Sequence, residues 1–148
     1  MTAPQTTVQT PQRNRRARRS LTSILVIVIA ALAAELVWAI AVPLAGLELV
    51  VPQAGRTVEP VSIAASVVIA GLAAWGLRAI MARTRKGLNA WTAIGAVVLV
   101  LSLGGPALSG AIGAVLSVLM IMHVVVGIVL IVGLRLSVRF GLAQRTTA

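Results

Sequence analysis

The sequence predicts an all-α membrane protein: a four-helix transmembrane bundle whose helices run up, down, up and down. Three observations lead to this prediction. Of the 148 residues, 59% are hydrophobic and only 11% are charged, whereas soluble domains carry about 25% charged residues. The apolar residues form four long runs, and a helix needs about 20 such residues to cross a bilayer. Basic residues cluster beside alternate ends of these runs, as they do where they orient a membrane protein.

The chain opens with a polar, basic segment, residues 1–20, which we expect to be a disordered cytoplasmic tail. It contains five arginines: Arg13, Arg15, Arg16, Arg18 and Arg19. The first predicted span follows at about residues 21–45 and holds a single acidic residue, Glu35. The pair Arg18-Arg19 resembles a twin-arginine export signal, but the apolar run is longer than the 7–15 residues of a signal sequence. We therefore expect this run to be a span.

A loop over residues 46–60 leads to the second predicted span at about residues 61–82. The loop carries Glu48, Arg56 and Glu59. In the span, Ser66, Ala70 and Ala74 recur every four residues, a spacing that predicts a ridge for close helix packing. A basic hinge that ends the span contains Arg83, Arg85 and Lys86.

The third predicted span, about residues 88–104, is short and ends at Gly104-Gly105-Pro106. Glycine permits positive φ and proline removes a hydrogen-bond donor, so we interpret this tripeptide as a turn. Trp91 near the start of the span is predicted to anchor it at the cytoplasmic interface. The fourth predicted span covers about residues 112–134. The transmembrane domain is thus 21–135, and residues 136–148 form a short basic cytoplasmic tail.

The distribution of Lys and Arg predicts the orientation. One side of the predicted bundle receives five from the first tail, four between Arg78 and Lys86, and three near the C-terminus; the other side receives Arg56 alone. This asymmetry predicts that both termini lie in the cytoplasm. Arg far outnumbers Lys, and Ala and Val dominate the apolar residues, a composition that indicates a bacterial protein and hence a bacterial cytoplasmic membrane. We expect the basic clusters to contact anionic lipid headgroups. Nucleic acid is not an expected partner, because the charges do not form a folded face and the chain has only three Trp and one Phe.

Two ionisable residues fall near the middle of predicted spans, Glu35 in the first and His123 in the fourth. Ionisable groups in lipid face the bundle interior and often mark functional paths. Because the two spans run in opposite directions, both residues lie at a similar depth, and we predict that they meet as an intramembrane polar pair. Ser102 at similar depth is a third candidate member. The pair is either a structural clamp or a proton-linked or ligand-contacting site.

Several kinds of chemistry lack the residues they require. The chain has no cysteine and one histidine, whereas a zinc site needs at least three protein ligands. It contains no HExxH, no phosphate-binding glycine loop and no GxSxG. We therefore expect no enzymatic activity, no catalytic residues, no metal and no cofactor.

Three segments resemble a family of small four-helix membrane proteins of unknown function, mostly from actinobacteria. They are Leu36-Val37-Trp38-Ala39-Ile40-Ala41, Leu101-Ser102-Leu103-Gly104-Gly105-Pro106 and Met122-His123-Val124-Val125. The resemblance covers most of residues 21–135. It implies a four-span plasma-membrane protein, and it assigns no role to any residue.

The sequence thus predicts an integral membrane protein that acts as a non-enzymatic interaction or accessory protein. Little of the chain lies outside lipid, so a homo-oligomer or another membrane protein would dock through the helices. The alternative is a small oligomeric transporter or channel subunit that uses Glu35 and His123. Four short spans rarely enclose a pathway alone, so this alternative requires an oligomer.

Overall fold

The computed structural model describes residues 12–84 and 86–143, with the side chains of residues 20–84 and 86–137. Five α-helices form it: α1 Gln12–Ala39, α2 Pro60–Met81, α3 Gly87–Ser102, α4 Gly104–Ala107 and α5 Gly113–Ala143. Four helical stretches are long and apolar enough to cross a membrane: Ser20–Leu44, Pro60–Met81, Gly87–Ala107 and Gly113–Ser137. The prediction of a helical chain with four such helices is confirmed.

The first and last helices extend further than the predicted spans. Helix α1 begins at Gln12, inside the segment that we expected to be disordered, and α5 continues to Ala143. Residues 12–19 consist largely of Arg, Ala and Gln, which favour helix. Extending an existing helix avoids the unfavourable nucleation step, so a membrane helix propagates readily into such a flank. The remainder of the two predicted tails, 1–11 and 144–148, lies outside the described residues.

A short irregular segment ends the first span. Pro43 cannot donate a backbone hydrogen bond, and the helix widens into a π-helical turn over Ile40–Leu44. Gly46, with φ of 68°, then turns the chain out of the helix. The loop that follows carries a two-residue antiparallel ribbon, β1 Val50–Val51 with β2 Arg56–Thr57, in the register Val50↔Thr57.

The long helices pack as antiparallel neighbours in the order α1, α2, α3, α5, and α5 closes the ring against α1. Each interface brings a glycine or alanine against a larger side chain. Val26 of α1 lies against Gly133 of α5, and Leu99 of α3 lies against Gly127. Because small residues let helix axes approach closely, these positions fix the packing in the absence of a hydrophobic driving force in lipid.

The buried core lies mainly between α1 and α5. Its members are Val26, Ile27, Ala30 and Ala34 of α1, Ile63 and Val67 of α2, Trp91 of α3, and Met122, Leu130 and Leu134 of α5. Large apolar side chains on the outer faces of all four long helices are exposed. Such a surface matches lipid rather than water.

Two local predictions are wrong. Gly104-Gly105-Pro106 is not a turn: Gly104–Ala107 is the helix α4, neither glycine has positive φ, and the chain turns later, around Gly110. Pro106 lies in the first turn of α4, and the next two residues, Ala107 and Leu108, donate to the carbonyl oxygens of Leu103 and Gly104. Trp91 is not an interface anchor either. Its side chain is 2% exposed, and Nε1 donates to the carbonyl oxygen of Ala74 at 3.1 Å.

Candidate functional site

The main feature of the bundle is an apolar cavity of about 730 Å³ between α2, α3 and α5. Helices α2 and α3 are joined at one end, where Trp91 contacts Ala74. Toward the other end the cavity is lined by exposed residues of both helices, including Ala70 of α2 and Val98 of α3. The exposure of these lining residues shows an open cleft between the two helices.

The predicted packing ridge on α2 faces this cleft. Ser66, Ala70 and Ala74 all line the cavity, and Ser66 and Ala70 are exposed. The Ser66 hydroxyl donates to the carbonyl oxygen of Ser62 at 2.7 Å, within its own helix. Small residues here thus widen a cavity at the positions where the sequence predicted helix contact.

His123 lines the same cavity from α5. Its Nδ1 lies 2.8 Å from the carbonyl oxygen of Leu119, one turn earlier in the helix. A carbonyl can only accept, so Nδ1 is the donor in this hydrogen bond. Nε2 has no hydrogen-bond partner among residues 20–84 and 86–137.

Glu35 lies on α1 outside the cavity lining, and its side chain is partly buried. Its depth agrees with that of His123. Glu35 is nine positions after Val26 in α1, and Val26 contacts Gly133 of α5. The residue nine positions before Gly133 in the antiparallel α5 is Val124, the neighbour of His123. Even so, the structure does not bring the predicted pair together. Within the described chain the Glu35 carboxylate forms no hydrogen bond or ion pair, and His123 bonds to its own helix.

Ser102, the third candidate, shares the cavity with His123 and not with Glu35. Its hydroxyl donates to the carbonyl oxygen of Leu99 at 2.7 Å. This bond satisfies the hydroxyl within α3. Ser102 and His123 therefore line the same cavity, and Glu35 does not.

A polar junction at Arg78 was not predicted from the sequence, in which Arg78 contributes only to the charge asymmetry. The guanidinium Nη1 donates to the carbonyl oxygen of Leu134 at 3.0 Å and to Oγ of Ser137 at 2.8 Å. Nη2 donates to Oγ of Ser23 at 3.0 Å. Ser23 and Ser137 are buried. One arginine therefore joins α2 to both α1 and α5.

The predicted basic cluster is described only in part. Arg83 and Lys86 are exposed in the connection between α2 and α3. Arg13, Arg15, Arg16, Arg18 and Arg19 belong to the helical stretch of α1, but their side chains, like the whole of Arg85, lie outside the described residues. Arg135 of α5 donates to Oγ1 of Thr92 at 3.4 Å, so it lies at the same end of the bundle as Arg78. Arg56 belongs to the loop at the other end.

Residues 13–139 match the family of unknown function DUF6069. The chain belongs to this family. No curated protein and no solved structure matches the chain. Membership in DUF6069 agrees with the expected resemblance to a family of unknown function, and it assigns no chemistry to Glu35, Ser102 or His123.

The described part of this DUF6069 member contains few groups that could hold a ligand by charge or coordination. Among the described residues, no three His, Cys, Asp or Glu side chains lie close enough to hold a metal ion. The arrangement provides an apolar cavity with an imidazole on its wall, and a separate, partly buried carboxyl group on α1.

Proposed function

We propose that this DUF6069 member is a multi-pass protein of a bacterial cytoplasmic membrane, arranged up-down-up-down, with both termini in the cytoplasm. Four helices of sufficient length and apolar character support the insertion. The placement of the basic side chains supports the orientation. Arg78, Arg83, Lys86 and Arg135 belong to one end of the bundle, and Arg56 to the other. An excess of cations marks the cytoplasmic side of membrane proteins.

Within that membrane, the proposed function is a non-enzymatic interaction or accessory role. The connections between the helices are short, so little surface outside lipid is available to a soluble partner. The partner is a membrane protein or a second copy of this chain, bound through the helices. The basic end contacts anionic lipid headgroups at the cytoplasmic face, and no nucleic-acid partner is proposed.

The observation that supports this proposal most strongly is the environment of Glu35. A carboxyl group in the middle of a membrane helix costs about 2.5–3.5 kcal/mol on insertion scales. Such groups are normally satisfied inside the bundle, yet Glu35 has no polar contact with the described chain. It lies beside Leu32 and Leu36, whose side chains are exposed on the outer face of α1. A helix of another subunit with a polar side chain at this depth would satisfy the carboxyl group.

A photo-crosslinking experiment in cells tests this interaction. A photoreactive residue at Leu36 is expected to give one product of defined mass, and the substitution Glu35→Leu is expected to abolish it. The same photoreactive residue at Val100, exposed on α3, serves as the control. Glu35→Gln, which keeps a hydrogen-bonding group, should retain part of the product. An equal yield from the wild type and from Glu35→Leu would contradict the proposal.

The second candidate is a small oligomeric transporter or channel subunit that uses Glu35 and His123. The specific observation in its favour is that His123 lines a large cavity at mid-depth, with Nε2 unbonded within the described chain. An outcome in which Glu35→Gln removes a proton flux through liposomes, while the crosslink is unaffected, would favour this candidate over the first.

A further inference from the structure

We propose that the cavity between α2, α3 and α5 binds one acyl chain of an anionic phospholipid, with Arg56 holding the phosphate. The lipid comes from the leaflet that faces the loop before α2. This inference rests on the proposed membrane insertion and orientation, and it adds a ligand to the bundle.

The dimensions of the cavity fit an acyl chain. Along α2 its lining extends from Ser62, near the start of the helix, to Leu77. Fifteen residues of α-helix rise about 22 Å, which exceeds the roughly 15 Å thickness of one leaflet's hydrocarbon region. A volume of about 730 Å³ lies within the usual range for ligand sites. The cavity is thus long enough to take an extended chain over the full depth of a leaflet.

The lining is suited to hydrocarbon. Most side chains that line the cavity are aliphatic, and the serine hydroxyls on its wall are satisfied by backbone carbonyls of their own segments, as with Ser66 and Ser109. The open cleft between α2 and α3 faces the membrane, so lipid chains can enter sideways without crossing water. An apolar chain that fills the cavity restores the dispersion contacts that an empty cavity lacks.

Arg56 supplies the preference for an anionic headgroup. It is the one basic residue in the loop of residues 46–59 and it lines the cavity at its outer end, whereas Glu48 and Glu59 do not. Within the described chain, the exposed guanidinium makes no ion pair and no hydrogen bond. Guanidinium groups bind phosphate oxygens through paired, charge-assisted hydrogen bonds. A phospholipid whose chain enters the cavity would bring its phosphate to this level.

Native mass spectrometry of the full chain in mild detergent tests the site with two probes, phosphatidylglycerol and phosphatidylcholine with identical chains. The wild type is expected to retain one phosphatidylglycerol and to bind phosphatidylcholine more weakly. Ala70→Phe fills the cavity and should weaken binding of both lipids, while Ala65→Phe, on an exposed face of α2 outside the lining, should not. Ser66→Leu is a second filling variant, in case Ala70→Phe does not fold.

The headgroup contact is tested separately. Arg56→Gln should lower the affinity for phosphatidylglycerol roughly tenfold, as expected for the loss of charge-assisted hydrogen bonds. It should lower the affinity for phosphatidylcholine less, because the choline cation offsets the charge of that lipid's phosphate. Arg83→Gln, at the other end of the bundle, is the matched control. Equal lipid binding by the filling variants and Ala65→Phe would overturn the inference, and so would a dimer that occupies the cavity in place of lipid. Carbonate extraction of the membranes separates these outcomes from a failure of insertion, which would release the protein.

Discussion

Arg78 and Glu35 are charged residues in apolar helices, and the bundle accommodates them in different ways. Arg78 lies in the last turn of α2, and its guanidinium reaches oxygen atoms on both α1 and α5. Long basic side chains near helix ends extend toward polar surroundings in this manner. Glu35 lies in mid-helix and finds no polar group in the described chain. The arginine therefore stabilises the bundle, whereas the carboxyl group is suited to a contact outside it.

Substitution of Arg78 should destabilise the bundle. Arg78→Gln removes hydrogen bonds to Ser23 and Ser137 and leaves buried oxygens without their charged donor. The expected loss is about 1.5–3 kcal/mol, the range for hydrogen bonds that involve a charged group. Thermal unfolding in detergent measures it. Arg83→Gln, which changes an exposed residue, should leave the transition unchanged; equal stability of the two variants would show that the junction contributes nothing.

The residues of interest could be selected from the sequence, but their contacts could not. Glu35 and His123 are recognisable because ionisable groups are rare in apolar runs, and counting residues along the helices gave the depth at which they lie. Which way each side chain faces depends on the rotation of its helix. Amphipathicity normally reveals that rotation, and these runs are apolar on every side. The hydrogen bond of His123 to Leu119 and the position of Glu35 outside the cavity were therefore beyond prediction.

At the scale of the helices, three glycines determine how closely α5 and α2 approach their neighbours. A Cβ atom at Gly133 would lie 2.6 Å from Cγ1 of Val26, and one at Gly71 would lie 2.7 Å from Cγ1 of Ile27. A Cβ atom at Gly127 would overlap the side chain of Leu99. Val26 is β-branched and cannot easily rotate away. The contact between α1 and α5 therefore requires glycine at position 133.

Two glycine substitutions should act in opposite directions. Gly133→Ala introduces a clash with Val26 and should destabilise the protein by about 1–3 kcal/mol, as overpacking does. Gly76→Ala meets no atom within 4 Å, and it should stabilise α2 by up to about 1 kcal/mol because alanine is the better helix former. The unfolding midpoints in detergent measure both. A Gly133→Ala protein as stable as Gly76→Ala would mean that the helices do not pack at this distance.

The helices themselves were largely predictable, because length and hydropathy decide whether a segment can cross lipid. The residues at which the helices begin and end were less predictable. Pro106 indicated a turn, yet the chain is helical again over Gly104–Ala107, since a proline in the first turn of a helix lacks only a donor that would be unpaired there. The basic stretch before residue 20 was expected to be disordered because it has few apolar residues, but helix propensity and a helix already formed beside it extend α1 to Gln12.

The whole molecule is asymmetric in its packing. Helices α1 and α5 share most of the buried core, whereas α2 and α3 separate into an open cleft. The two candidate binding features lie on different parts of this structure: the outer face of α1 for a protein helix, and the cleft for a lipid chain. The two proposed partners therefore do not compete for the same surface.

The cleft could not be predicted from the sequence. Small residues every four positions, as in Ser66 and Ala70, predict close packing when a second helix faces them. In this bundle Ser66 and Ala70 line the cavity and are exposed, so no second helix covers them. Small residues at four-residue spacing therefore do not by themselves distinguish a helix contact from a cavity.

The orientation of the four spans is tested most directly by single-cysteine labelling, since the chain has no native cysteine. Single cysteines at Ala54 and Ala107 would report on one end of the bundle and a cysteine at Thr84 on the other, and all three positions are exposed. In intact cells, a membrane-impermeant maleimide should label Ala54→Cys and Ala107→Cys but not Thr84→Cys, which should react only after lysis. Labelling of Thr84→Cys in intact cells, with protection of the other two, would contradict an arrangement with both termini in the cytoplasm.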